Sequence, residues 1–281
     1  MRFLAVVLAL ASSACIEISG ADMGRYVARE DKQFTVSGRP DLSVSTFDGS
    51  IEVRPWNRTD VEVIVEKHAS SKDAAEAITV DAQQNGNRIT VDVRSAHHGG
   101  FSMHFGRSAK LIVSLPAASD LAARSGDGSI DVEGITGKLD LHSGDGSIKA
   151  RAINGDVTVT TGDGSVHLDG TFGALRARSG DGSITVTAAN GSRASNDWDI
   201  SSGDGSVTLD IPAAFGAVLD AHTGDGRIRL EDITVSNVTG RLGKSSLKGR
   251  LGDGGATLRI RTGDGSITLR SARPSGTGDS R

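Results

Sequence analysis

The chain has 281 residues, with 35 acidic and 31 basic side chains and a formal net charge of −4. It holds 37 glycines but only ten aromatics (two Trp, one Tyr, seven Phe), which disfavours a globule organised around large aromatic anchors. The balanced charge supplies no phosphate-tracking field and argues against a nucleic-acid partner. The single cysteine leaves no intramolecular disulfide framework and no Cys-based zinc site.

Arg2 is followed by an uncharged apolar run from Phe3 to Ala11, then by Ser12, Ser13, Ala14 and Cys15. This reads as a bacterial signal peptide over residues 1–14, with an apolar stretch too short to serve as a final membrane span. Cys15 directly after the small residues resembles a lipobox, whose cysteine becomes a lipidated N-terminus. Ser12 departs from the usual leucine. Ordinary cleavage after Ala14 is the alternative, and both readings export the chain. The expectation is a lipid on Cys15 and a polar tether over 15–32. Ile16, in place of an aspartate, points to the outer membrane. No later segment approaches ~18 consecutive apolar residues, so a lipid would anchor the protein without spanning the bilayer.

Residues 33–116 read as an N-terminal β portion that caps the repeat beyond it. Phe47-Asp48-Gly49-Ser50-Ile51 is a weak copy of the later turns. Trp56 follows, either a carbohydrate-stacking platform or, the favoured reading, a packed residue at the first turn. Val61–Glu66 alternates as a strand, and Ser70 with Asp73 resembles a capping box opening a short helix through Ala77. Ile78–Ala82 and Arg88–Arg94 flank an Asn-Gly pair, the signature of a tight return. His97, His98 and His104 place three imidazoles in one loop. They are a candidate transition-metal set, against the plainer reading of a glycine-flanked connection. Ala109–Leu115 is a further strand, ended by Pro116.

The rest of the chain is governed by a repeat. Gly-Asp-Gly recurs with first glycines at Gly126, Gly144, Gly162, Gly180, Gly203, Gly224, Gly252 and Gly263. The first five intervals are 18, 18, 18, 23 and 21 residues. The extra residues fall within Asn190–Asn196 and Ile211–Phe215. The copy at Gly252 is out of frame. In the other seven, the residues four and six after the first glycine, and five and three before it, are apolar without exception, from Leu121, Ala123, Ile130 and Val132 to Leu258, Ile260, Ile267 and Leu269. Intervening positions are polar except Ala122. Such period-2 patterning predicts half-buried strands. Each unit is strand, corner, strand, turn, with Ile135, Ile153 and Phe172 at corners and a second glycine at Gly137, Gly155 and Gly173. One unit cannot offset its own ordering entropy, whereas stacked units can. The fold class is therefore all-β: a single-stranded β-solenoid of ~18-residue coils, each with two short strands. The solenoid occupies 117–270, and a disordered tail is expected over 271–281.

In such a turn glycine permits close approach between coils, aspartate can close an Asx-turn on its own backbone, and flanking Ser or Thr can hydrogen-bond up the stack. Stacking places Asp127, Asp145, Asp163, Asp181, Asp204, Asp225 and Asp264 in one column. Adjacent carboxylates repel unless paired or bridged, so a calcium-binding structural roll is the alternative to self-satisfied turns. The nonapeptide roll of exported toxins carries aspartate in both half-turns, and here the second half lacks it. A glycan-active β-helix enzyme would gather charged groups in a cleft that breaks the repeat. Here Asp131 and Glu133 over Lys149 and Arg151, then Asp169, with Arg176 and Arg178 on the other face, follow the repeat and read as cross-coil pairing. Trp198 falls on an inward position.

The export signal, the Gly-Ser-Ile turn near residue 50, the Asn-Gly return, Leu115-Pro116 and the Gly-Asp-Gly-Ser-Ile coils occur together. So does the close Leu258-Arg-Ile-Arg-Thr-Gly-Asp-Gly-Ser-Ile-Thr-Leu269. Over residues 33–270 the chain resembles the bacterial adhesin-named family of domain of unknown function 4097. The resemblance implies a non-catalytic binding or scaffolding module at the cell envelope, without cofactor. Its partner would be an envelope protein or glycan, with strand addition at the C-terminal edge one possible mode.

Overall fold

A computed structural model describes residues 26–95, 106–239 and 245–272, together with the backbone of 15–18. The signal segment 1–14, the three loop histidines and the tail beyond Ala272 lie outside the described residues. No helix among the described residues is long and apolar enough to cross a membrane.

The chain forms a β-solenoid with two parallel strand columns. The column before the turns contains Asp120–Ser125, Thr136–Ser143 and their equivalents, paired in register as Leu121, Leu139, Val157 and Leu175. The column after the turns pairs Ile51, Ile130, Ile148, Val166, Ile184 and Val207. In Ile148–Thr161 and Val166–Ser179 a single strand runs through the corner. Of the 28 inward positions of the repeat, all are buried except Ile228 and Leu230. Corner residues Ile135, Ile153 and Phe172 are buried too. At the second glycine the coils nearly touch: a Cβ on Gly155 would lie 2.0 Å from the Gly137 carbonyl oxygen.

The coils do not stack in chain order. Trp198–Ser202 pairs with Thr257–Thr262, which in turn pairs with Ala217–Thr223. In the other column Val207–Ile211 pairs with Ile267–Ser271, and that strand pairs with Ile228–Glu231. The last coil in sequence is thus interposed, and the coil at 217–231 lies outermost. The expected aspartate order is corrected at this end: Asp264 stands between Asp204 and Asp225. Pro212–Gly216 must climb two coil steps, about 10 Å, and the lengthened interval there supplies that reach. Ser246–Leu251 then closes the end antiparallel to Ala217–His222. Gly252–Gly255, the out-of-frame copy, turns the chain back into the stack with positive φ at Gly252, Gly254 and Gly255.

The N-terminal end repeats the device. Asp41–Thr46 lies between Arg88–Ser95 and Asp120–Ser125, and Ile51–Trp56 lies between Ser108–Pro116 and Ile130–Glu133. The turn at Asp48 therefore belongs to a full solenoid coil, and 60–116 supplies the cap. Asp60–Ala69 pairs antiparallel with Ser108–Ser114, the hairpin Ile78–Asn85/Arg88–Ser95 forms as read, and the helix Lys72–Glu76 packs at this end. Its N-cap is Ser71, one residue later than read, with Oγ accepting from Ala74 N–H at 3.2 Å.

The tether reading of 15–32 is corrected as well. Tyr26–Thr35 is a strand antiparallel to Asp60–Ala69, and Cys15–Ile18 pairs with Val27–Glu30. Its pattern was hidden because the core-side row carries charge. Glu30 sits between Lys32 and Lys67, with both Nζ atoms 2.8 Å from its carboxylate. Burial opposes the ionised form of Glu30, yet the two lysine hydrogen bonds outweigh it and hold its pKa below the usual glutamate value.

Candidate binding surfaces

The Gly-Asp-Gly turns are held by the residue before the first glycine. Ser143 Oγ donates to the Gly128 carbonyl of the neighbouring coil at 2.8 Å and accepts from its own Gly146 N–H at 3.0 Å. Ser179 and Ser202 repeat both bonds, and Thr223 bonds Gly265 O and Gly226 N in the same way. All these hydroxyl residues are buried. The first glycines add a backbone ladder, Gly144 N to Gly126 O and onward to Gly263 N to Gly203 O, each 2.5 Å. Ser and Thr thus do what the Asx-turn reading assigned to aspartate. The Asp127, Asp145, Asp163, Asp181, Asp204, Asp225 and Asp264 side chains are exposed. Among the described residues no group of three or more His, Cys, Asp or Glu is placed to hold a metal ion.

A prediction follows from this closure. Ser143→Ala leaves the part-buried Gly128 carbonyl and Gly146 N–H without their bond to the hydroxyl, a cost of about 1–3 kcal/mol in chemical unfolding. Thermal melts in EGTA and in millimolar calcium at fixed ionic strength are expected to coincide. An upward calcium shift lost in Asp145→Asn/Asp163→Asn would instead make the column a cation site.

The outward charges pair across coils. Arg151 Nη2 lies 3.2 Å from Asp131 and 3.6 Å from Glu133, and Arg54 approaches the same two acids from the other side. Arg178 pairs with Asp199 at 2.9 Å. Trp56 is half-buried; its Nε1 donates to Asp60 O at 2.8 Å, and Arg58 lies 4.1 Å over its ring. Trp198 is fully buried, as its position predicts.

Asp220 links the outermost coil to the interposed one. It accepts from Arg261 Nη2 at 2.7 Å, with Lys248 Nζ 3.7 Å from its other oxygen. The Arg261 hydrogen bond, aided by nearby cations, holds its pKa below the usual aspartate value against partial desolvation. Its folded pKa is depressed, so its stabilisation is complete above the unfolded value of about 4 and is lost as pH falls through the lower folded value. Asp220→Asn is expected to flatten the fall of melting temperature below pH 5. Parallel acid titrations for the variant and the parent would contradict this.

One groove of about 1000 Å³ runs along the rod over the starts of the first strand column. It crosses seven coils, from Asp41 through Asp120, Lys138, Asp156 and Asp197 to Ala256, about 30 Å at the strand spacing. Asp120, Asp156 and Asp197 each accept a backbone N–H from the next coil, at Lys138, Ala174 and Thr257, at 2.8–2.9 Å. Asp120 also pairs with Arg39, Asp41 with Arg88 and Asp140 with Arg124. The groove carboxylates are therefore committed to the fold. Lys138 and Arg176 line the groove and enter no ion pair among the described residues. Sequence reading missed this surface. Its signal was an aspartate six residues before the first glycine in three coils, at Asp120, Asp156 and Asp197, with Lys138 and Ala174 in the coils between.

The arrangement defines a rod-shaped β-solenoid with folded-back ends and a lengthwise groove. The Toastrack DUF4097 family model matches residues 40–171 and 125–270, and the chain belongs to that family. Among solved structures, a candidate adhesin from Bacteroides fragilis is similar at 16% identity and a TM-score of 0.46, covering 86% of this chain and 96% of that one. A candidate cell adhesion protein from Clostridium sporogenes (12%, TM-score 0.37, covering 87% and 99%) is also similar. So is a candidate lipid-binding protein from Parabacteroides distasonis (11%, TM-score 0.36, covering 86% and 96%). None of these likenesses bears on what this chain binds. No curated protein matches it in sequence.

Proposed function

We propose that this chain is an exported, non-catalytic binding module of the bacterial envelope, lipid-anchored through Cys15, whose groove takes an extended protein or glycan segment. The observation that carries this reading is the groove: long, open, and lined by carboxylates already committed to the fold, with Lys138 and Arg176 free to meet a ligand. Family membership and the lipobox-like segment support the envelope location. Binding to isolated cell-wall and outer-membrane fractions is expected to fall at least tenfold in Lys138→Glu/Arg176→Glu. Cys15→Ser is expected to abolish incorporation of a fatty-acid label and release the chain from membranes. Unchanged binding in the double variant would reject the groove, and unchanged labelling would reject the anchor.

A further inference from the structure

Unpaired cations recur at a fixed interval along the outer face of the first strand column. Lys138, Arg176 and Arg259 are exposed and enter no ion pair among the described residues. They stand on alternate strands of the stack: Lys138 is in register with Asp156, Thr158 with Arg176, Arg176 with Asp199, and Asp199 with Arg259. Alternate strands are about 9.6 Å apart, so the two steps cover about 19 Å. Lys138 and Arg176 line the groove, and Arg259 stands beside its end at Ala256. Lys138 lies two residues nearer the strand start than the other two, an offset its flexible four-carbon stem can span.

The strands between carry carboxylates that the fold has already engaged. Asp156 accepts from Ala174 N–H and Asp197 from Thr257 N–H, both at 2.9 Å, and Asp199 pairs with Arg178 at 2.9 Å. Beside them Thr158, Ser195 and Asn196 line the groove with neutral hydrogen-bonding groups. The face therefore alternates, strand by strand, between an unpaired cation and a layer that repels negative charge. A uniformly charged polyanion meets both; a chain with one anion per ~9.6 Å and neutral groups between meets only the cations.

The interval selects the conformation of such a chain. Polyproline II returns a side chain to the same face every three residues, about 9.3 Å, and two repeats come to about 19 Å. Side chains on one face of a β-strand recur at about 6.7 Å, or about 13 Å when alternate ones are used. An α-helix needs seven residues, about 10.5 Å, so two repeats overshoot by about 2 Å. The polyproline II backbone makes no internal hydrogen bonds, so its carbonyls are open to Thr158, Ser195 and Asn196.

We infer that the groove face binds an acidic protein segment in the polyproline II conformation, with one carboxylate per three-residue turn set against Lys138, Arg176 and Arg259. This rests on the proposed groove function and names its ligand as a protein segment, not a glycan.

The test is a titration of the full chain carrying Cys15→Ser into a fluorescently labelled peptide of four Glu-Pro-Pro repeats, read by anisotropy. Saturable binding is expected. A peptide of the same composition with its glutamates contiguous should bind at least tenfold more weakly. Lys138→Gln, Arg176→Gln and Arg259→Gln should each weaken binding about fivefold, the upper range for one exposed ion pair. Lys149→Gln, which removes an exposed cation of the other strand column, should not. All four side chains are exposed and enter no ion pair among the described residues, so the variants should melt like the parent. The proposal is overturned by no binding, by equal binding of the two peptides, or by indifference to all three substitutions. Binding only after removal of 273–281 would make the tail the occupant and overturn it too. So would a galacturonic-acid oligomer that depends on the three cations where the peptide does not bind, which would assign the face to a glycan. Binding to envelope fractions is read separately: if Lys138→Glu/Arg176→Glu abolishes it while the peptide test fails, the groove reading stands and only this ligand is rejected.

Discussion

Deleting residues 257–281 is expected to unfold more of the protein than the deletion removes. The interposed coil buries Leu258, Ile260, Ile267 and Leu269 completely. At about 1.5–3 kcal/mol for each buried side chain, they contribute on the order of 6–12 kcal/mol, a large share of typical domain stability. Among the described residues the coil is also the only strand partner of Ile228–Glu231, and it joins Ala217–Thr223 to Trp198–Ser202. Without it, residues 212–251 lose their dock. Limited proteolysis should then cut throughout 212–251 while the coils from 120 to 188 stay resistant, and the melting temperature should fall by more than 10 °C, as a loss of several kcal/mol requires. A truncated chain that keeps 217–251 protected would mean that this coil had settled directly on 198–211, as stacking in chain order demands.

The second large effect is expected at Trp198. Its ring is fully buried, lies edge-on to Phe172 with centroids 6.2 Å apart and packs on Phe215 at 4.9 Å. Its Nε1 donates to Gly173 O at 2.8 Å. These three aromatics fill the core where the 190s loop and the lengthened 211–215 segment depart from the regular repeat. Trp198→Ala removes the ring, its hydrogen bond and the packing of two neighbours, an expected loss of about 3–5 kcal/mol in denaturant unfolding. Trp56→Ala, at a half-buried turn, is expected to cost no more than about 1 kcal/mol. Equal costs at the two positions would mean that the aromatic cluster does not anchor the core.

The inward faces of the coils were legible because period-2 alternation survives in each copy. Trp198, the corner residues and the Asn-Gly hairpin followed from the same pattern. Coil order was not legible, for a physical reason: every coil presents nearly the same apolar positions, so any order satisfies the local pattern. The cues were the lengthened link before Ala217 and the displaced glycines at 252–255, which only a chain climbing two steps and returning requires. The strand Tyr26–Thr35 was missed because its core-side row holds Glu30 and Lys32 instead of apolar residues. The groove was missed because its backbone-binding aspartates, Asp120, Asp156 and Asp197, recur in only three coils, beneath the stronger 18-residue repeat. The flanking Ser or Thr bonds up the stack as its type and place suggest, whereas the conspicuous aspartate of each turn points outward.

The interposed stack can be tested through one pair of neighbours. Thr208 and Thr268 are paired in register, and Arg229 lies beyond Thr268. Adjacent strands set Cα atoms about 4.8 Å apart, inside the range of about 4.4–6.8 Å for a disulfide. Alternate strands, about 10 Å apart, lie outside that range. With Cys15→Ser removing the native thiol, Thr208→Cys/Thr268→Cys should form an intramolecular disulfide under mild oxidation, and Thr208→Cys/Arg229→Cys should not. The reverse result, cross-linking of 208 to 229 and not to 268, would show a stack in chain order and contradict the folded-back end.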